Sequence, residues 1–162
     1  MAKLQYKFDS SNISTINTRF GEIDVNSSSI FCFPQGVVGI PNSHYYYLCE
    51  VPENKIPGAC LVHGLDEDKI SFITLPLDKK FYIGEDAIIK QEDINNAVET
   101  YNISYDDLII LVIAKITYDK ESKKVDISIN LKAPIFVNLK ERVAFQHVFI
   151  SKEYPLKYSI TE

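Results

Sequence analysis

Residues 108–116 form an almost unbroken run of apolar, largely β-branched side chains. Beyond the charged stretch 119–124, Val125, Ile127, Ile129 and Leu131 alternate with Asp126, Ser128 and Asn130. A continuous run reads as a strand covered on both faces, and a two-residue period reads as a strand with one face inward. The solvated turn between them makes a hairpin. A hairpin is marginal alone, so the rest of the chain must supply strands and cover for it.

The chain supplies them at short intervals. Residues 14–25 read as two strand pieces around Gly21, which follows a bulky Phe20 and marks a bulge or a tight bend. Further strands are expected at 30–33, 44–49, 59–62, 70–75, 133–137 and 143–150. Pro34-Gln-Gly36 and Gly39-Ile-Pro41 punctuate a loop of fixed geometry. Pro76 ends a strand or lies on an edge. Only 84–102 changes period. Ile94, Ala97, Val98 and Tyr101 fall at i, i+3, i+4 and i+7, one face of an amphipathic helix of about three turns. Glu92 and Asp93 lie near its start, where the helix dipole favours acids. About ten short strands and one short helix predict a mainly β fold, a compact antiparallel barrel-like domain. No repeat or linker divides residues 1–162, and 1–13 read as loose or a short edge strand.

With 162 residues the chain can bury a core without metals or disulfides. Its three cysteines, Cys32, Cys49 and Cys60, are odd in number and form no C-x-x-C pair, which suits a reducing cytosol. The N-terminus has no apolar signal region, and the longest apolar run is too short to span a bilayer. The expected location is cytoplasmic. Net charge is −5. That disfavours binding to nucleic-acid phosphates, whose affinity comes mainly from Lys and Arg, and suits a basic protein partner. Ten Tyr and nine Phe supply amphipathic rings for strands or for a wet interface.

Catalytic signatures are missing. There is no Gly-rich nucleotide loop, nucleophile elbow or H-E-x-x-H. His44, His63 and His147 stand far apart in the chain. Cys60 and His63 have odd spacing and so point to opposite faces of a strand. Asp66, Glu67 and Asp68 read as a solvated acidic turn before they read as a cation site. Lys132 beside Ala133-Pro134 reads as a charge guarding an exposed strand edge. No enzyme, metal or cofactor is expected. A single-stranded RNA-binding barrel that stacks bases on Phe and Tyr is the alternative, but it needs a basic groove, and the lysines of 120–124 gather in one turn.

Four segments, in order, resemble the bacterial flagellar assembly factor FliW family. They are Thr18-Arg-Phe-Gly-Glu-Ile23, Phe33-Pro-Gln-Gly-Val-Val-Gly-Ile40, Asn130-Leu-Lys-Ala-Pro-Ile135, and the closing Tyr154-Pro-Leu156. Leu65-Asp-Glu-Asp68 before Ile70-Ser-Phe-Ile73 is similar to the family's acidic turn and strand, and Asn138 and Gln146 fall at expected positions. In the second segment, Val38 and Ile40 replace the usual Pro and Phe.

The resemblance implies a small cytosolic, non-catalytic β-barrel that binds flagellin. When free of flagellin, such a protein binds and antagonises the translational repressor CsrA, away from its RNA surface. Flagellin synthesis is thereby coupled to secretion, with no direct nucleic-acid or membrane contact. The expected partner surface surrounds Phe33, Gly36, Ile40, Asn130, Lys132, Pro134 and Asn138, with Glu22, Asp66, Glu67 and Asp68 as an acidic rim.

Overall fold

The computed structural model describes residues 14–66, 70–79, 82 and 87–160. Glu67 and Asp68 of the expected rim lie outside these residues, as does the N-terminal stretch read as loose. Eleven strands and one α-helix are present among the described residues. The strands are β1 (Thr15–Thr18), β2 (Gly21–Asp24), β3 (Ile30–Cys32), β4 (Tyr45–Glu50), β5 (Cys60–Gly64), β6 (Ser71–Pro76), β7 (Leu108–Asp119), β8 (Lys124–Ile129), β9 (Ile135–Asn138), β10 (Val143–Gln146) and β11 (Tyr158–Ser159). Helix α1 is Gln91–Thr100.

The mainly β, barrel-like reading holds. Strands β3 to β7 form an antiparallel meander, β9 pairs with the start of β7, and β10 pairs with β9. The ring closes where β10 meets β3 in parallel, Val143 opposite Cys32, with the Cys32 N–H donating to the Arg142 carbonyl at 3.0 Å. Strands β8 and β11 extend from β7 outside the ring.

Alternation sorts the ring's side chains between two sides. The cross-strand pairs Phe31–Tyr46, Val62–Phe72, Leu111–Ile135 and Val137–Ala144 all belong to the interior cluster. Residues one step away point outward and are covered by two separate lids. The β1–β2 ribbon lays Phe20 and Ile23 over Cys49, Leu61 and Ile73. Helix α1 lays Ile94, Ala97 and Val98 over Ile110, Val112 and Phe136. The helix face read from the spacing is therefore the buried one, although the helix is held shut from elsewhere. Lys90 at its N-terminus has no side-chain cap. Instead the Tyr154 hydroxyl accepts from the Lys90 N–H at 3.0 Å and donates to Asp93. Burial, and the bond to Asp93, push that phenol up to about 12.

Two readings of the central hairpin need correction. Strand β7 is buried on both faces only over Ile110, Leu111 and Val112. Strand β8 does not keep all its apolar positions inward. Val125 is 49% exposed opposite Tyr118, itself 59% exposed, while Ser128 is buried. The hairpin runs past the edge of the barrel, and its far end is left exposed among the described residues.

The Asn130–Pro134 segment is where β8 becomes β9 along one side of β7. Ala114 pairs with Ile129 and Leu111 with Ile135, so six steps on one strand span three on the other. The surplus residues leave the ladder as a bulged excursion. Proline at 134, with no N–H to give, ends it.

Candidate partner-binding surface

The two long motifs meet at one end of the barrel. In the first, Phe33 is fully buried against the Tyr46 ring, with centroids 4.6 Å apart. Its N–H and carbonyl are tied to His44 and Gly36. Gly36 has a φ of +68°, and an added Cβ would lie 2.6 Å from the Ile40 carbonyl oxygen. No side chain fits there. The segment then reverses tightly, Val37 and Ile40 exchanging main-chain hydrogen bonds, with Gly39 at φ +84°. Val37 plugs the interior, and Val38 is left 60% exposed at the tip.

In the second motif the Asn130 carboxamide oxygen accepts from the N–H groups of Lys132 and Ala133, at 3.0 and 3.1 Å. That is an Asx turn, the reason a short polar side chain opens the excursion. The Lys132 ammonium donates to the Phe149 carbonyl at 3.2 Å, so this cation pins a neighbouring segment and is half-buried. Pro134 is buried.

Gln146 joins the two motifs. Its amide nitrogen donates to the Ala133 carbonyl at 3.1 Å, and its amide oxygen accepts from the Val38 N–H at 2.8 Å. Beyond Gln146 the chain runs beside the excursion, with His147 N–H donating to Pro134 and Phe149 N–H to Lys132. His147 and Phe149 turn inward to the aromatic cluster under α1, where the Tyr101 hydroxyl lies 2.7 Å from His147 Nδ1. Burial lowers the His147 pKa below its usual value, against an opposing pull from Asp93. Val148 and Ile150 turn outward, 45% and 97% exposed. Among the described residues, no hydrogen bond occupies the main chain of Val148 or Ile150. The result is an apolar strip, Val38, Val148 and Ile150, beside an open main-chain edge.

The expected site residues separate on this frame. Gly36, Ile40, Asn130, Lys132 and Pro134 gather at this end of the barrel. Phe33 and Pro134 have their side chains inside and shape the surface without lining it. Asn138 lies at the opposite end, its side-chain oxygen accepting from the Glu141 N–H at 3.1 Å in the β9–β10 turn. Glu22 sits exposed on the β1–β2 ribbon, facing Asn17. Asp66 accepts from the N–H groups of His44 and Tyr45, at 2.6 and 3.2 Å, so it fastens a turn while its charge stays exposed. Of the expected acidic rim, the described residues therefore place Glu22 on the ribbon and Asp66 in the turn after β5. Val148 and Ile150 escaped sequence reading because alternation beside a buried Phe149 looks the same whether the outer residues are covered or bare.

Cys60 faces the barrel interior and His63 the outer side, as their odd spacing requires. Burial pushes the Cys32 and Cys60 thiols up to about 11, so they are protonated packing groups near neutral pH. Among the described residues, no three His, Cys, Asp or Glu side chains gather as a metal set, and no helix is long and apolar enough to cross a membrane.

The other end of the barrel is open. A cavity of about 560 Å³ enters between the ends of β3, β4, β5, β7 and β9.

The model of the FliW protein family matches residues 14–160. A flagellar assembly factor FliW from Carboxydothermus hydrogenoformans is 31% identical over 143 residues, covering 87% of this chain and 84% of that protein. One from Clostridium tetani is 29% identical over 146 residues, covering 90% and 94%. A crystal structure of the flagellar assembly factor FliW superposes with a TM-score of 0.67 at 20% identity, over 91% of this chain and 97% of that one, a likeness of fold. With closed ring, helix lid and joined motifs in place, the chain belongs to the FliW family.

Proposed function

We propose that this protein is a non-catalytic, cytoplasmic partner-switching factor of flagellar assembly. It binds unassembled flagellin and, when flagellin has been exported, binds and antagonises the translational repressor CsrA. The supporting observation is the Val38–Val148–Ile150 strip beside an open main-chain edge, in a chain of this family. An open edge with alternating apolar side chains suits addition of an extended segment, main-chain bonds giving affinity and side chains giving register. A segment disordered before assembly can supply that strand. Net charge of −5 speeds encounter with a basic partner such as an RNA-binding repressor.

Gel filtration of the purified protein with flagellin, with the repressor and with both tests the reading. The expected result is a stable complex with each, and loss of one complex as the other guest is added. No complex with either guest ends it.

A further inference from the structure

A cavity lies at the far end of the barrel, apart from the Val38–Val148–Ile150 strip. Its walls include Phe31, Leu48, Cys60, Ile109, Leu111 and Val137, which are interior residues of five strands. At the motif end the interior is filled by Phe33, Tyr46 and Val37. At this end Leu48, Cys60 and Ile109 stay only half-buried. A recess of about 560 Å³ is in the range of ligand pockets and holds more than one side chain. Its apolar walls favour an apolar guest over water.

Charge narrows the choice of guest. Among the described residues, Glu50 is the one charged residue lining the cavity, and Ser28, Ser29 and Asn54 supply neutral polar groups. A fatty acid or phosphate-bearing lipid would bring an anion to Glu50, whereas a peptide can bring a cation to it. The lip bears on this too. In the loop after β4, Glu53 and Asn54 hold φ of +58° and +53°, and Ile56 lines the opening.

The geometry points to this mouth as a receptor for two or three bulky apolar side chains of the flagellin chain, flanked by a Lys or Arg that meets Glu50. The inference rests on the flagellin reading above and adds a second contact, at the opposite end from the Val38–Ile150 strip.

Calorimetric titration with monomeric flagellin tests it, on the unaltered protein, Ile109→Trp, which fills the recess, and Glu50→Lys, which reverses its charge. Thermal melts check that each variant is folded. Ile109→Trp is expected to weaken binding by about tenfold or more, as for loss of a buried anchor, and Glu50→Lys by a smaller factor. Flagellin is also expected to slow deuterium uptake over residues 51–60. Should Ile109→Trp not fold, Glu50→Lys and the exchange data decide. If the unaltered protein binds flagellin and the variants bind equally well, the mouth is not the receptor and the flagellin reading stands. If the unaltered protein does not bind flagellin, both fall. A fatty acid retained in native mass spectra, with flagellin affinity unchanged in Ile109→Trp, overturns the peptide assignment in favour of a lipid.

Discussion

The two ends of one barrel have been finished differently. At the motif end the interior is stoppered by Phe33, Tyr46 and Val37, and two loops are clasped by Gln146. At the other end the strands stay paired to their ends, yet the interior between them is left as a cavity. The residue types are alike at both ends, so hydrophobicity does not separate them. Interior filling does: Phe33 packs on Tyr46 at the stoppered end, whereas Leu48, Cys60 and Ile109 stay half-buried at the other. The stoppered end uses side-chain oxygens of Asn130, Gln146 and Asp66 to satisfy backbone N–H groups, and a glycine where a Cβ has no room. The Phe33–Ile40 and Asn130–Ile135 segments are therefore largely scaffold at this end of the barrel.

The largest effect that can break this contrast is expected from Gly36→Val. A β-branched side chain at φ +68°, against the Ile40 carbonyl, should cost about 3 kcal/mol or more and leave little folded protein in a urea melt. Phe33→Ala, which opens a void at the stoppered end, should cost about 3–5 kcal/mol in the same measurement. A near-neutral Phe33→Ala would mean that the stopper is slack and the two ends are equivalent. Gln146→Ala removes both clasping bonds and should cost about 1–3 kcal/mol. It should also speed hydrogen exchange at Val38 while leaving residues 51–60 unchanged. At the open end, Leu48→Met is expected to change stability by less than about 1 kcal/mol, because the half-buried side chain can rearrange into the cavity.

The smallest effect is pH dependence. His147 has a folded pKa below its unfolded one, so the unfolded chain binds the extra proton. Its contribution is complete above the ordinary histidine value and is lost as pH falls through that value towards the folded one. The melting temperature should therefore drop between pH 7.5 and pH 5, and drop less in His147→Gln. An equal slope in both proteins would assign the effect to other groups.

Much of this frame was legible in the sequence. The hairpin of β7 and β8 announced itself through a continuous run and a two-residue period. Ile94, Ala97 and Val98 are buried on α1 where the helical spacing put them. What escaped was whatever depends on where a strand ends in space. Val125 reads as inward by alternation, yet it lies beyond the barrel's edge and is exposed. Asn138 follows Pro134 closely in the chain, but β9 carries it about 13 Å along the strand to the other end. Phe33 looked like a surface anchor because it heads a motif, whereas the motif exists to bury it. The cavity was hidden altogether, since its walls are gathered from several strands and each reads locally as ordinary core.

The parallel seam between β3 and β10 has a consequence for synthesis. It joins Cys32 to Val143, and the nearby clasp links residues 108 apart in the chain. Most of the sheet emerges from the ribosome before its last staves exist, with β3 still an uncovered border. Closure waits for residues 143–146, which makes folding slow relative to local hairpins. A message truncated before β10 would therefore yield an adhesive half-product prone to aggregate through that border.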